Sequence, residues 1–355
     1  MSHATRLSIC LCLAVLSLMV LASAAQAAEL RAVDFIGPST GWVAGDGGLV
    51  LKTTDGGKTW IVQHKGGVDH IYGIDFVSAS RGWAVSSTDG ILRTTDGGKR
   101  WSRRSVVSDG GSQDLYCVRF INRRVGWMVG GSPDDRPEDT HQPYGLLYAS
   151  TNGGRTWTLR KTVASCPMAV DAGSAATVVA VGVDRIQPTE EGGCNVLAEW
   201  LPSGASWTGP THFPGYDTEW GELYAVDRAA AGLVVAGGKY SGGYGGDPAI
   251  MRSTDGGLTW TMTVPPALDA VRGITMATNR VGYAVGEGSV TKILKTTDGG
   301  VSWFTRSVPF GSHLWAVDFV TASTGYAVGY REGATPVKSL VLKTVDGGTT
   351  WKRVR

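Results

Sequence analysis

An eight-residue phrase, T-x-D-G-G-x-x-W, recurs along this 355-residue chain. It reads TTDGGKTW at Thr53–Trp60, TTDGGKRW at Thr94–Trp101 and STNGGRTW at Ser150–Trp157. It returns as STDGGLTW at Ser253–Trp260, TTDGGVSW at Thr296–Trp303 and TVDGGTTW at Thr344–Trp351. A decayed copy, LPSGASW, ends at Trp207. A second phrase precedes the copies: an apolar strand such as AVDF, a polar turn, then glycine and an aromatic residue. Examples are Ala32–Phe35 with Gly41-Trp42, Gly73–Phe76 with Gly82-Trp83, and Ala316–Phe319 with Gly325-Tyr326. Fixed-period repetition of this kind decides the architecture before any single residue does.

Seven units of about 47 residues have the period of β-propeller blades, each a sheet of four short strands. In the first unit the strands are AVDF, GWVAG, LVLKTT and TWIVQ, and Asp-Gly-Gly turns the third into the fourth. Asp-Gly and Gly-Gly supply the positive φ a tight hairpin needs, and the Asp side chain can bond its own turn. The expected fold is therefore all-β: a seven-bladed β-propeller of four-stranded antiparallel blades. The blades are expected near 30–65, 70–107, 113–162, 166–213, 221–265, 270–309 and 313–355, in one domain over 28–355. The turn acids Asp55, Asp96, Asp255, Asp298 and Asp346, with Asn152 in the third copy, are assigned a structural role. So are Trp60, Trp101, Trp157, Trp207, Trp260, Trp303 and Trp351. Composition agrees: glycine is 51 of 355 residues and tryptophan 13.

Residues 1–27 read as a secretory signal peptide. Arg6 precedes an apolar run from Leu7 to Ala22, and Ala25-Gln26-Ala27 is an A-x-A cleavage site. Export to a periplasmic or secreted location follows as an expectation, with no membrane span after cleavage. Cys117, Cys166 and Cys194 then meet an oxidising compartment, which permits one bridge. Cys166 and Cys194 flank one loop and are the candidate pair; Cys117 lies mid-strand and reads as a buried thiol.

The pattern xxDFxxxxxGWxVG followed by T-x-D-G-G-x-x-W resembles the Asp-box, or BNR, repeat. Seven such units behind a signal peptide are similar to the photosystem II stability/assembly factor family of seven-bladed propellers. The resemblance implies a non-catalytic chaperone that binds a membrane-protein partner. It also extends to exported proteins of bacteria without photosystems.

Strand 1 carries Asp34, Asp75, Asp227 and Asp318, and strand 3 carries Lys52, Arg93, Arg252 and Lys343. They are expected to form the ion pairs Asp34/Lys52, Asp75/Arg93, Asp227/Arg252 and Asp318/Lys343, because buried charges need partners. Lys295 shares the strand 3 position. The third unit departs, with Arg119 opposite Tyr148. In the fourth, Asp171 aligns with the acids but Glu199 with the bases. Two carboxylates are what a glycosidase needs, so Asp171 and Glu199 are the catalytic candidates.

The connections from strand 2 to 3 and from strand 4 to 1 share one face, and the long ones crowd there. Functional residues concentrate on such loops. The binding-face candidates are Asp134, Asp135, Asp139, Tyr144, Glu190, Glu191, Tyr216, Trp220, Glu222, Tyr240 and Tyr244. Their acidic and aromatic chemistry suits a basic protein segment, or a polar ligand stacked on rings.

With 33 Lys+Arg against 31 Asp+Glu and a net charge of +2, nucleic acid is not an expected partner. Histidine and cysteine spacings suggest no metal, and no cofactor motif is present. The sialidase Arg-Ile-Pro motif is missing; Arg185-Ile186-Gln187-Pro188 has the wrong place and spacing. The leading expectation is an exported, non-catalytic propeller that binds a protein partner as an assembly factor or scaffold for a membrane or envelope complex. The alternative is a carbohydrate-binding or glycoside-hydrolysing Asp-box propeller. Ring closure is expected by face packing alone.

Overall fold

The computed structural model describes residues 28–355 except 69, 89, 106–112, 133–143, 164–165, 175–176, 184–195, 201–219, 231, 242–245, 267, 289–291, 309–311 and 332. The signal-peptide reading, Cys194 and most of the long loops therefore lie outside the described residues. The described elements are all strands, and no helix is long and apolar enough to cross a membrane.

The first unit shows how sequence becomes sheet. Leu30–Phe35, Gly41–Gly45, Leu49–Thr53 and Ile61–His64 pair antiparallel in chain order. Its second strand is wholly buried, because it is packed on both faces. Five sheets have this four-stranded form. The sixth has seven strands and holds the fourth and fifth units, joined through Val183 and Glu222. Seven inner strands nevertheless stand in a closed ring, each against the next and Ser312–Phe319 against Leu30–Phe35. The chain is an all-β propeller.

Each Asp-box turn is held by its own side chains. In the first, the Thr53 hydroxyl donates to Asp55 Oδ1 at 2.8 Å and accepts from the Gly57 N–H at 2.8 Å. Asp55 also accepts the Thr59 N–H and hydroxyl, at 2.9 and 2.6 Å. Gly56 and Gly57 sit at φ of 72° and 90°, the left-handed region open to glycine. These hydroxyl and N–H donors hold the carboxyls of Asp55, Asp298 and Asp346 down at about 2.

Packing between neighbours follows one rule. At four seams the aromatic residue after the Gly stacks on the inner-strand Phe of the next unit. Trp42 lies 3.5 Å from Phe76, Trp83 3.5 Å from Phe120, and Tyr283 3.6 Å from Phe319, centroid to centroid. The box Trp meets the same Phe edge-on, as Trp101 does Phe76 at 88°.

The expected acid–base pairs do not form. Each acid instead accepts a backbone N–H from the next unit: Asp34 from Phe76 at 2.7 Å, Asp75 from Phe120 at 2.9 Å, and Asp227 from Met276 at 2.5 Å. Each base reaches the next unit's box turn. Lys52 donates to the Gly97 carbonyl at 3.1 Å, Arg93 to Gly153 at 2.7 Å, Arg252 to Gly299 at 2.8 Å, and Lys295 to Gly347 at 2.6 Å. A carbonyl left open by a glycine turn satisfies the cation, and a strand N–H satisfies the anion.

Ring closure is likewise more than packing. Phe35 stacks on Tyr326 at 3.5 Å, and polar bonds join the same seam. Lys343 donates to the Gly56 carbonyl at 2.8 Å, and Ser339 to the Ala28 carbonyl at 2.6 Å. The Phe35 N–H donates to Asp318.

Candidate functional site: the mouth of the central channel

The inner strands share one irregularity. Strand pairing skips a residue in every unit, between Leu30 and Ala32, Ile71 and Gly73, Pro167 and Ala169, Leu223 and Ala225, Val271 and Gly273, and Leu314 and Ala316. In the third unit the skip falls between Leu115 and Cys117. A bulge re-aims the extra side chain. The seven bulged residues are Arg31, Tyr72, Tyr116, Met168, Tyr224, Arg272 and Trp315, one per unit. All seven line one cavity of about 190 Å³ on the axis of the ring. They lie near the starts of the inner strands, so this mouth opens on the face of the 4-to-1 connections.

Charge and aromatic surface are unevenly divided around it. Arg31 and Arg272 flank Trp315, with guanidinium carbons 5.3 and 5.2 Å from its ring centre. Arg272 also lies 3.9 Å from the Tyr224 ring, a cation–π distance. Carboxylates at the rim hold both cations in place. Arg31 donates to Asp46 at 2.6 Å and Glu29 at 3.0 Å, and Arg272 donates to Glu287 at 2.8 Å. Tyr72 and Tyr116 pack 5.3 Å apart on the next sector. Burial pushes the Tyr72 and Tyr224 hydroxyls up, so both are neutral donors at physiological pH. The Tyr224 hydroxyl donates to Glu222.

Deeper, Val33, Ile74, Val118, Val226, Ile274 and Val317 make the wall apolar. The Cys117 thiol also lies there and donates to the Val170 carbonyl at 3.6 Å; burial pushes it up to about 11, so it is not a ready nucleophile. Cys117 is partly rather than fully buried. Next along the inner strands come the acids and Arg119. Arg119 bridges Asp75 at 3.3 Å and Asp171 at 2.9 Å.

The backbone sets the two catalytic candidates on different register rows. Asp171 pairs with Val179 and through it with Ala198, whereas Glu199 pairs with Val178, one step out of phase. Glu199 is also two strands out from Asp171, about 10 Å at ordinary strand spacing. Ala198, not Glu199, holds the base position, since Asp34–Trp42–Lys52 is the equivalent row. The third unit shows the same slip: Ala149, not Tyr148, stands in register with Trp127 at the base position.

Of the binding-face candidates, Glu222 is at the mouth, paired with Lys239 at 3.2 Å. Tyr240 is a correction: it is 7% exposed and belongs to the core between the fourth and fifth units. It follows the alternation of its strand inward. Tyr144 and Trp220 lie on described backbone at strand starts. Asp134, Asp135, Asp139, Glu190, Glu191, Tyr216 and Tyr244 lie outside the described residues. Cys166 is buried at the start of its strand, but its proposed partner Cys194 is not described, and neither is Trp207. Among the described residues no group of acids, histidines and cysteines could hold a metal.

Asp-box turns around a ring of inner strands define an Asp-box β-propeller with a lined axial mouth. Residues 62–200 match the family described as photosynthesis system II assembly factor YCF48. A structure of YCF48 bound to a D1 peptide is 19% identical with a TM-score of 0.62, over 90% of this chain and 94% of that one. YCF48 from Cyanidioschyzon merolae is 20% identical with a TM-score of 0.62, over 90% and 96%. The WD40 propeller domain of Doa1 is 12% identical with a TM-score of 0.56, over 89% and 93%. At these identities the likeness establishes the fold. A comparison with curated proteins finds no significant match.

Proposed function

We propose that the protein is an exported, non-catalytic propeller that binds a segment of a protein partner at its axial mouth. It would serve as an assembly or stability factor for a membrane or envelope complex. The observation that carries this reading is the ring of bulged residues. Arg31, Tyr72, Tyr116, Tyr224, Arg272 and Trp315 present donors and aromatic faces without a nucleophile or acid–base pair among them. Aromatic and arginine side chains at the centre of a rigid cup are the usual anchors of protein recognition. That a protein of the same fold has been seen with a bound peptide supports the class of ligand.

The test is a pull-down from envelope extract with residues 28–355, alongside a glycan array. A stoichiometric protein partner, lost with Trp315→Ala and Arg272→Ala but retained with Phe304→Ala on the exposed outer rim, supports the reading. Glycan binding without a protein partner overturns it.

A further inference from the structure

Where a unit carries a base, it donates into the next unit's box turn, and at three of those seams a box carboxylate stands near it. Lys52 has Asp96 nearby, Lys295 has Asp346, and Lys343 has Asp55. The seam between the second and third units is different. Its box has Asn152 where the five other full copies have Asp. Asn152 keeps the turn by accepting the Thr156 N–H at 3.0 Å and donating to the Thr156 hydroxyl at 2.7 Å. The geometry survives while the anion is gone.

Cations gather at that turn. Arg93 donates to the Gly153 carbonyl, and Arg81, Arg155 and Arg104 are close enough to repel it. The Gly153 N–H donates to the Arg124 carbonyl at 2.8 Å, which brings Arg123 and Arg124 to the same place. Arg104, Arg123, Arg124 and Arg155 are exposed. None of these six enters an ion pair among the described residues. Like charges brought together without a counter-charge cost stability, so their concentration at one seam calls for an external anion.

We infer that this seam is a docking surface for an anionic phospholipid membrane. The arginines lie on the convex outer edge and the box-turn face, spread over two units rather than gathered in a cleft. A diffuse layer of phosphate headgroups matches that spread. The box-turn face is also opposite the axial mouth, so contact with a membrane would leave the mouth open. This inference stands apart from the reading of the mouth.

The experiment is co-sedimentation of residues 28–355 with vesicles of phosphatidylglycerol and phosphatidylcholine, beside pure phosphatidylcholine. We expect binding to the anionic vesicles alone, weakened by added salt. The variant Arg104→Gln/Arg123→Gln/Arg155→Gln should lower the affinity at least tenfold, since each cation near the surface contributes about fivefold. The control Arg306→Gln/Lys352→Gln/Arg353→Gln removes the same charge from exposed sites elsewhere and should bind as the parent does. Asn152→Asp, which restores the box acid, should weaken binding without unfolding the turn. Equal binding to neutral vesicles, or equal loss in the control, overturns the inference. So does capture by polyglutamate without binding to anionic vesicles, which would mark an acidic protein partner.

Discussion

The backbone N–H of Phe35 donates to Asp318 Oδ2 at 2.8 Å, across 283 positions of sequence. The same bond links each neighbouring pair Asp34–Phe76 and Asp75–Phe120. The last unit therefore grips the first with the contact that three internal seams use. The acceptor is an oxygen, and the charge is secondary. Asp318→Ala should lower stability by about 1–3 kcal/mol, the cost of stranding a buried donor. Asp318→Asn keeps an oxygen in place and should be close to neutral. Denaturant melts of both variants check this; equal losses would show that charge, not acceptance, matters.

Stability should peak in mildly acid solution. Burial pushes Asp75 and Asp318 up to about 6 and Asp227 up to about 7, and holds Asp34 well above its usual range. The folded state thus holds more protons than the unfolded chain, whose carboxyls titrate near about 4. Their contribution is full below about pH 4 and is lost as pH rises toward about 7. The box acids act in the opposite sense: held near about 2, they stabilise above about pH 4 and fail as pH falls below it. The melting temperature should be highest near about pH 4–5. A flat profile between pH 5 and 8 would contradict the buried ring.

Arg119 is the cation of that ring, and its charge matters most when the acids are ionised. With 45% of the side chain exposed, solvent screens part of its bonds to Asp75 and Asp171. Arg119→Met should cost about 1–2 kcal/mol at pH 8, after that discount. It should cost less at pH 5, where neighbouring carboxyls take up protons. Thermal melts at the two pH values distinguish this from a pH-independent packing loss.

Gly41 meets the Phe35 ring face to face. A Cβ there would fall 2.3 Å from the ring, which is already stacked on Tyr326. Gly82 and Phe76 repeat the contact, at 2.4 Å. Gly41→Ala should cost about 1–3 kcal/mol by overpacking. Because Phe35 lies at the closing seam, limited proteolysis of the variant should release the first unit early.

The box turns were legible in the sequence because their bonds run within eight residues and the chemistry is local. Partner choice was not. Repetition shows that Asp34 and Lys52 recur together, but both bond to a different copy of the unit, and a repeat pattern carries no such address. The mouth was hidden for a related reason. Arg31, Tyr72, Tyr116, Met168, Tyr224, Arg272 and Trp315 all stand three positions before the inner-strand acid or its replacement, so their spacing was on view. Their chemical types differ, and a search for recurring residues passes over a position whose role is fixed while its identity varies. Tyr240 failed in the other direction: its neighbourhood looked like loop, whereas its strand runs on and turns the ring inward.

The closing seam gives the chain no preferred break. Its stack, its acid-to-backbone bond and its lysine-to-carbonyl bond are those of the internal seams, and Ser339 holds the Ala28 carbonyl at 2.6 Å beside them. In topological terms the molecule is a circle that has been cut once. A circular permutant joined from 355 to 28 by a short linker and reopened after Ser105 should fold to the same ring. Where the polypeptide starts would then govern the order of assembly and not its end point.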